Sequence, residues 1–121
     1  CIERNESNLG YGGISIGWNT TGEIINNSIN HNFGYSCGGI GATSLSYMYL
    51  YGNSIRFNKS CQVGGVRPQG VDNIYYSNEN LNSIYGNIGY LVCDFGVSDD
   101  NPVYMDTITC ANNSTYYIFY N

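Results

Sequence analysis

Side chains with chemical reach are few in this chain and unevenly placed. Its largest acidic cluster in sequence is Asp94, Asp99, Asp100 and Asp106. Two carboxylates held on either side of a glycosidic bond can hydrolyse it, one as acid and the other as base or nucleophile. Asp99 and Asp100 are therefore the candidate catalytic pair, against the plainer reading of a solvated acidic loop. Stacking chemistry is better represented. Tyr47, Tyr49 and Tyr51 alternate with Met48 and Leu50, which puts three phenol rings on one face of a strand, expected to be the outward one. An outward aromatic strip suits contact with a carbohydrate or a protein. Trp18 follows the alternating Ile14-Ser15-Ile16 and is either a sugar platform or a cover over the core. His31, between Asn30 and Asn32, is expected to be a turn residue without a metal role.

Cys1, Cys37, Cys61, Cys93 and Cys110 stand too far apart for the paired spacing of a zinc site. Isolated cysteines fit an oxidising compartment. Asn-x-Ser/Thr triplets begin at Asn5, Asn19, Asn26, Asn58, Asn112 and Asn113. These six exceed the roughly 2.7 that 18 Asn and 18 Ser+Thr in 121 residues would give by chance, which points to secretion. With Lys+Arg 4 against Asp+Glu 9 the net charge is −5, so no basic stripe is available for nucleic acid or an anionic membrane. No apolar run approaches the roughly 18 residues of a membrane span, and no cofactor is implied.

The elements that must carry these residues are strands. The chain has 18 Asn, 16 Gly, 13 Tyr and 13 Ile but two Ala, five Leu and one Lys, a composition poor in helix formers. It is also periodic. Gly12-Gly13-Ile14, Gly38-Gly39-Ile40 and Gly64-Gly65-Val66 recur every 26 residues. Asn-Ser-Ile-x-x-Asn recurs at 27–32, 53–58 and 82–87, at intervals of 26 and 29, which places a three-residue insertion between residues 70 and 80. Asn-x-Gly-Tyr recurs at 8–11, 32–35 and 87–90. Cys93-Asp94-Phe95 takes the Gly-Gly-Ile place of a fourth, degenerate repeat, and Asn113-Ser114-Thr115 is a late echo. A period this short, without helix formers, predicts one coil of a β-solenoid with two or three short strands per coil. Equivalent residues of successive coils then lie about 4.8 Å apart and stack. Ile29, Ile55 and Ile84 are expected to form an inward column. Asn32, Asn58 and Asn87 are expected to form a ladder at a turn, in a conformation Asn tolerates at positive φ, with the paired glycines turning the other corner.

These motifs resemble the right-handed parallel β-helix superfamily, and within it the surface proteins built from polymorphic-membrane-protein-type repeats. Those alternate a Gly-Gly-Ala-aliphatic motif with Phe-x-x-Asn. The matching residues are Gly38-Gly39-Ile40-Gly41-Ala42 and the Ile-x-x-Asn groups ending at Asn32, Asn58 and Asn87, within about residues 8–95. The resemblance implies a secreted or surface-displayed structural or adhesive region. The same fold class hosts pectinases and polysaccharide lyases. Of the galacturonase motifs only the acidic pair is echoed, by Asp99-Asp100, while Arg56, Lys59 and Arg67 lie far from it in sequence.

The expectation is thus a single all-β domain over residues 1–121, a right-handed parallel β-helix of about four coils, part of a longer β-helix or a filament subunit. Its function is expected to be non-enzymatic, structural or adhesive, with a carbohydrate-active or sugar-binding solenoid as the competing reading. In the repeat frame Cys37 and Cys61 share a face of adjacent coils at a diagonal offset of two, which predicts a disulfide between them and another between Cys93 and Cys110. Cys1 is left for an upstream or intermolecular partner. Glycans are expected at Asn5, Asn19, Asn26, Asn112 and Asn113, and less so at Asn58, whose ladder position buries its amide. Open coil ends are templates for end-to-end association with further copies.

Overall fold

The computed structural model describes residues 1–43, 45–68, 74–76, 79–90, 104–109 and 115–119 of the 121. Every element in them is a strand, and no helix occurs among the described residues. Each full coil uses four strands rather than two or three. The first sheet stacks β1 (Ile2–Glu3), β5 (Ser28–Asn30), β9 (Ser54–Arg56) and β13 (Ser83–Tyr85). The second stacks β2 (Glu6–Ser7), β6 (Phe33–Gly34), β10 (Lys59–Ser60) and β14 (Ile88–Gly89). The third stacks β3 (Ile14–Ile16), β7 (Ile40–Ala42) and β11 (Val66–Arg67), and the fourth β4 (Thr21–Ile25), β8 (Tyr47–Tyr51) and β12 (Ile74–Tyr76). All pairings in these sheets are parallel, giving a β-solenoid of about three turns with a period near 26 residues. The Cys93-Asp94-Phe95 place of a fourth repeat lies outside the described residues.

The core is a set of stacked columns. Ile2, Ile29, Ile55 and Ile84 are in register, and the last three are buried. Ile14, Ile40 and Val66 make a second column, and Ile24 stacks on Leu50 in a third. Cross-coil registers also locate the insertion. Tyr76 pairs with Leu50 at an offset of 26, and Ser83 with Ser54 at 29, so the extra residues fall between 76 and 83.

Buried polar groups hold the coils in this register. Asn58 accepts from both the backbone N–H and the side-chain amide of Asn32 at its Oδ1, each at 3.0 Å. Its own Nδ2 donates forward to Asn87 Oδ1 at 2.9 Å and backward to the Ile29 carbonyl at 3.0 Å. Asn32 repeats the scheme, accepting twice from Asn5 and donating to Ile2 and Asn58. Every donor and acceptor of these two amides is used, which removes the penalty for burying them. A second ladder of the same kind runs through Asn27, Asn53 and Asn82. Asn53 Nδ2 donates to the Ile24 carbonyl at 2.6 Å and to Asn82 Oδ1 at 2.9 Å, and Asn27 N–H donates to Asn53 Oδ1.

Three expectations about the corners are corrected. The ladder asparagines are not at positive φ. The residues just before them are: Arg4, His31, Phe57 and Gly86 precede Asn5, Asn32, Asn58 and Asn87, with φ of 57°, 55°, 56° and 67°. The paired glycines do not turn the chain through positive φ either; a Cβ on Gly39 would collide with the Gly65 carbonyl of the next coil, so close approach is what excludes a side chain there. Third, Asn8-Leu9-Gly10-Tyr11 is out of frame with its sister motifs, because Glu6 and Ser7 pair with Phe33 and Gly34 while Tyr11 bridges to Cys37.

The late echo at Asn113-Ser114-Thr115 is described at its last residue only. Asn113 and Ser114 lie outside the described residues, and Thr115 begins β16 (Thr115–Phe119), which pairs antiparallel with β15 (Tyr104–Thr109). β15 comes against β13 at the end of the first sheet, so a hairpin stands beside that sheet's last strand.

Asn58→Ala should cost about 3 kcal/mol or more, because it strands two Asn32 donors in the interior and takes the side-chain donor from the Ile29 carbonyl. Asn27→Ala, at the first and half-buried rung of its ladder, should cost about 1 kcal/mol or less. Urea denaturation of the two variants checks the contrast, and equal losses would contradict it.

Candidate functional site

Chemistry on the outside of this solenoid follows from the pleat that builds its inside. In β8, Met48 and Leu50 point inward and are fully buried, so Tyr47, Tyr49 and Tyr51 face out. Tyr75 of β12 is in register with Tyr49, and their rings stack at 4.7 Å between centroids and 15° between planes. Tyr47 stacks on the same Tyr75 at 6.3 Å, and Tyr51 meets Tyr49 at a tilt. The first coil continues this face with Thr21, Glu23 and Ile25. Four phenols thus form an ordered, half-exposed surface across two coils, with one carboxylate at its edge. Trp18 does not join it: 68% exposed, it stands in the turn between β3 and β4, where Thr20 Oγ1 donates to the Gly17 carbonyl.

A second surface cluster was not singled out from the sequence. At the corner between β9 and β10, the Phe57 ring lies 5.4 Å from the His31 ring and 5.7 Å, edge to face, from Tyr85. The Arg56 guanidinium carbon is 5.9 Å from the centre of the Phe57 ring, and Arg56 Nη1 donates to the Tyr85 hydroxyl at 2.9 Å. His31 Nδ1 is held 2.7 Å from Asn30 Oδ1. These residues come from three coils, and only the register of the first sheet brings them together. The signal available in sequence was their shared place, at or just before the x that precedes Asn in Ile-x-x-Asn.

No protein-family model matches the chain, and no curated protein or solved structure does. The surface geometry and the ladders therefore carry the functional argument alone.

The expected Cys37–Cys61 disulfide is absent. Cys37 bridges in register to Tyr11 and Val63, its sulfur buried 3.2 Å from the Ile40 carbonyl and 3.4 Å from that of Gly65. Cys61, two residues before Val63, is exposed, so the two thiols do not share a face. Cys1 is also free and exposed. Cys93 and Cys110, the acidic pair Asp99 and Asp100, and the sequons at Asn112 and Asn113 lie outside the described residues. Of the other sequons, Asn19 and Asn26 are exposed at positive φ, and Asn5 is exposed while its amide donates to Asn32. Asn58 is fully buried with both amide hydrogens engaged. Among the described residues no three His, Cys, Asp or Glu cluster as metal ligands, and no helix is long and apolar enough to cross a membrane.

Burial pushes the Cys37 thiol up from 9.0 to about 12, against smaller lowering effects of backbone hydrogen bonds and Arg67. The folded state therefore keeps a proton that the unfolded chain loses first. Stability from this group is complete below pH 9 and falls as pH rises towards 12. Alkylation of the native protein should label Cys1 and Cys61 and spare Cys37. Cys37→Ala should flatten the loss of stability over that pH window relative to the parent. Labelling of Cys37 without unfolding would contradict its placement.

Proposed function

We propose that this chain is a non-enzymatic structural and adhesive module, a right-handed parallel β-helix secreted or displayed at a cell surface, which holds a glycan or a surface protein against its tyrosine face. The observation that carries this reading is the alignment of Tyr47, Tyr49, Tyr51 and Tyr75 across neighbouring coils. Rings fixed on a strand pay little conformational entropy on binding, and their flat faces suit sugar C–H surfaces or apolar side chains. Two buried amide ladders make the scaffold beneath them stiff, as an adhesive surface under load requires. Exposed sequon asparagines at Asn5, Asn19 and Asn26 support exposure to a glycosylating compartment. Kinship with polymorphic-membrane-protein-type repeats belongs to the same proposal and rests on the spacing of the Gly pairs and the Ile-x-x-Asn groups. The first-coil strands β1 to β4 form one outer edge of the four sheets, and a further coil or a second copy stacking there would lengthen the module into a filament.

A glycan array probed with the parent and with Tyr49→Ser and Tyr75→Ser checks the reading. Ligands of the parent should be lost or weakened about tenfold in both variants, the worth of one aromatic contact. Release of products from a polysaccharide, abolished by Asp99→Ala or Asp100→Ala, would replace the adhesive reading with a carbohydrate-active one.

A further inference from the structure

Nothing covalent joins one coil to the next among the described residues. Cys1, Cys37 and Cys61 are free thiols, and the coils are held in register by hydrogen bonds and packing. The face of β4, β8 and β12 carries a different group able to form a bond between coils. Tyr47 and Tyr49 of β8 and Tyr75 of β12 bring three phenol rings within stacking distance. Phenols held this close at a surface are substrates for one-electron oxidation, whose product is a carbon–carbon bond between two rings.

Geometry selects the pair. Tyr49 and Tyr75 are in register, so their backbones stand about 4.8 Å apart, the spacing of neighbouring strands. In a coupled product the new bond joins the ring carbons beside the hydroxyls, and the two rings extend to opposite sides of it. The Cβ atoms then stay well beyond the in-register spacing whatever the twist about the bond. Tyr49 and Tyr75 therefore stack, but joining them would prise the strands apart. Tyr47, two residues before Tyr49, is the diagonal neighbour of Tyr75 at about 7 to 8 Å, a spacing that accepts the product on undistorted backbone. Its ring already lies over Tyr75, 6.3 Å between centroids and 24° between planes, and it is 46% exposed to an oxidant. Tyr51, the opposite diagonal neighbour, has its ring against Tyr49 at 56°.

We propose that Tyr47 and Tyr75 are a site of oxidative coupling, a dityrosine staple between the second and third coils formed by hydrogen peroxide and a haem peroxidase. Each phenol gives up one electron and its hydroxyl proton. The two radicals join through one Cε of each ring, and the hydrogen displaced from each of those carbons returns to the phenol oxygen. The two electrons and two protons removed reduce one peroxide to two waters. Because the strands hold the rings together before oxidation, coupling within one molecule outruns encounter between molecules. The bond closes the chain between β8 and β12 and so restricts the unfolded state, as any cross-link does. The staple uses part of the proposed adhesive face but needs no ligand, so it holds or fails apart from that reading.

The test is treatment of the dilute full chain with peroxidase and limiting peroxide, followed by isolation of the monomer and peptide mapping by mass spectrometry. Peptides joined through Tyr47 and Tyr75, lighter by two hydrogens, should dominate, and the stapled monomer should melt at a higher temperature than the parent. Dityrosine fluorescence of the monomer should fall about tenfold in Tyr47→Phe and in Tyr75→Phe, which keep the ring packing and the fold. It should stay at the parent level in Tyr49→Phe, and in Tyr90→Phe although Tyr90 is 84% exposed. Oxidation of the urea-unfolded chain should lose the preference. Coupling ranked by exposure, with Tyr90 and Tyr35 leading, would overturn the proposal. So would a bond from Tyr49 to Tyr75 in place of Tyr47 to Tyr75, cross-links only between molecules, a stapled monomer that melts no higher than the parent, or no coupling at all.

Discussion

Everything in this structure depends on one repeated hydrogen-bonding arrangement. An asparagine three residues after an inward aliphatic gives its amide to that aliphatic's counterpart carbonyl in the coil before and to the asparagine of the coil after. Because each Oδ1 also accepts from the preceding rung, the side chains form a continuous chain of bonds parallel to the solenoid axis. Buried and fully satisfied, such a chain is stronger than isolated surface bonds, and it is specific: a shift of one residue would bury an unpaired amide in every coil. Stacked isoleucines supply the hydrophobic free energy, but an aliphatic column tolerates small slips that an amide ladder does not.

The ladder also decides what the surface can present. To aim an amide inward at a corner, the chain turns through a left-handed residue immediately before it, and that residue's side chain is directed outward. One position per coil is thereby exposed at a fixed place on the corner. Over four coils it is occupied by Arg4, His31, Phe57 and Gly86. The flat sheet of β4, β8 and β12 presents a different chemistry by a simpler rule, the alternation of buried Met48 and Leu50 with outward tyrosines. Exposed side-chain clusters on this fold are consequences of register, and two of distinct character result.

Much of this was legible in the residues because stacking repeats the same demand every coil. Ile29, Ile55 and Ile84, and Asn32, Asn58 and Asn87, are visible as columns in the repeat, and so is the three-residue insertion. The second ladder, Asn27, Asn53 and Asn82, lies inside the same motif, at its leading Asn. Conformation at single residues was harder to see. Positive φ was assigned to asparagine on general tolerance, whereas the ladder requires the amide to point inward from ordinary backbone and moves the strain one residue earlier. The disulfide expectation failed for a related reason. Counting from the Gly pairs placed Cys37 and Cys61 on one face, yet the bridges from Cys37 to Tyr11 and Val63 set the facing there, and only Cys37 is inward. The cluster at Phe57 involves residues 26 and 28 positions from Phe57 in the chain and of different types, so only their shared place in the repeat marks it.

The central claim is that the asparagine ladders, more than the aliphatic columns, hold neighbouring coils in register. Native-state hydrogen exchange followed by NMR tests it most directly, through the backbone amides of Asn32, Asn53 and Asn58 and their side-chain Nδ2 hydrogens. These hydrogens should exchange only through global unfolding, with the protection of the Ile55 amide at the centre of the core. Exchange of the Asn58 and Asn53 hydrogens as fast as those of the exposed turn residues Asn19 and Leu45, while Ile55 stays protected, would show that the ladders open without disturbing the stack and would contradict the account.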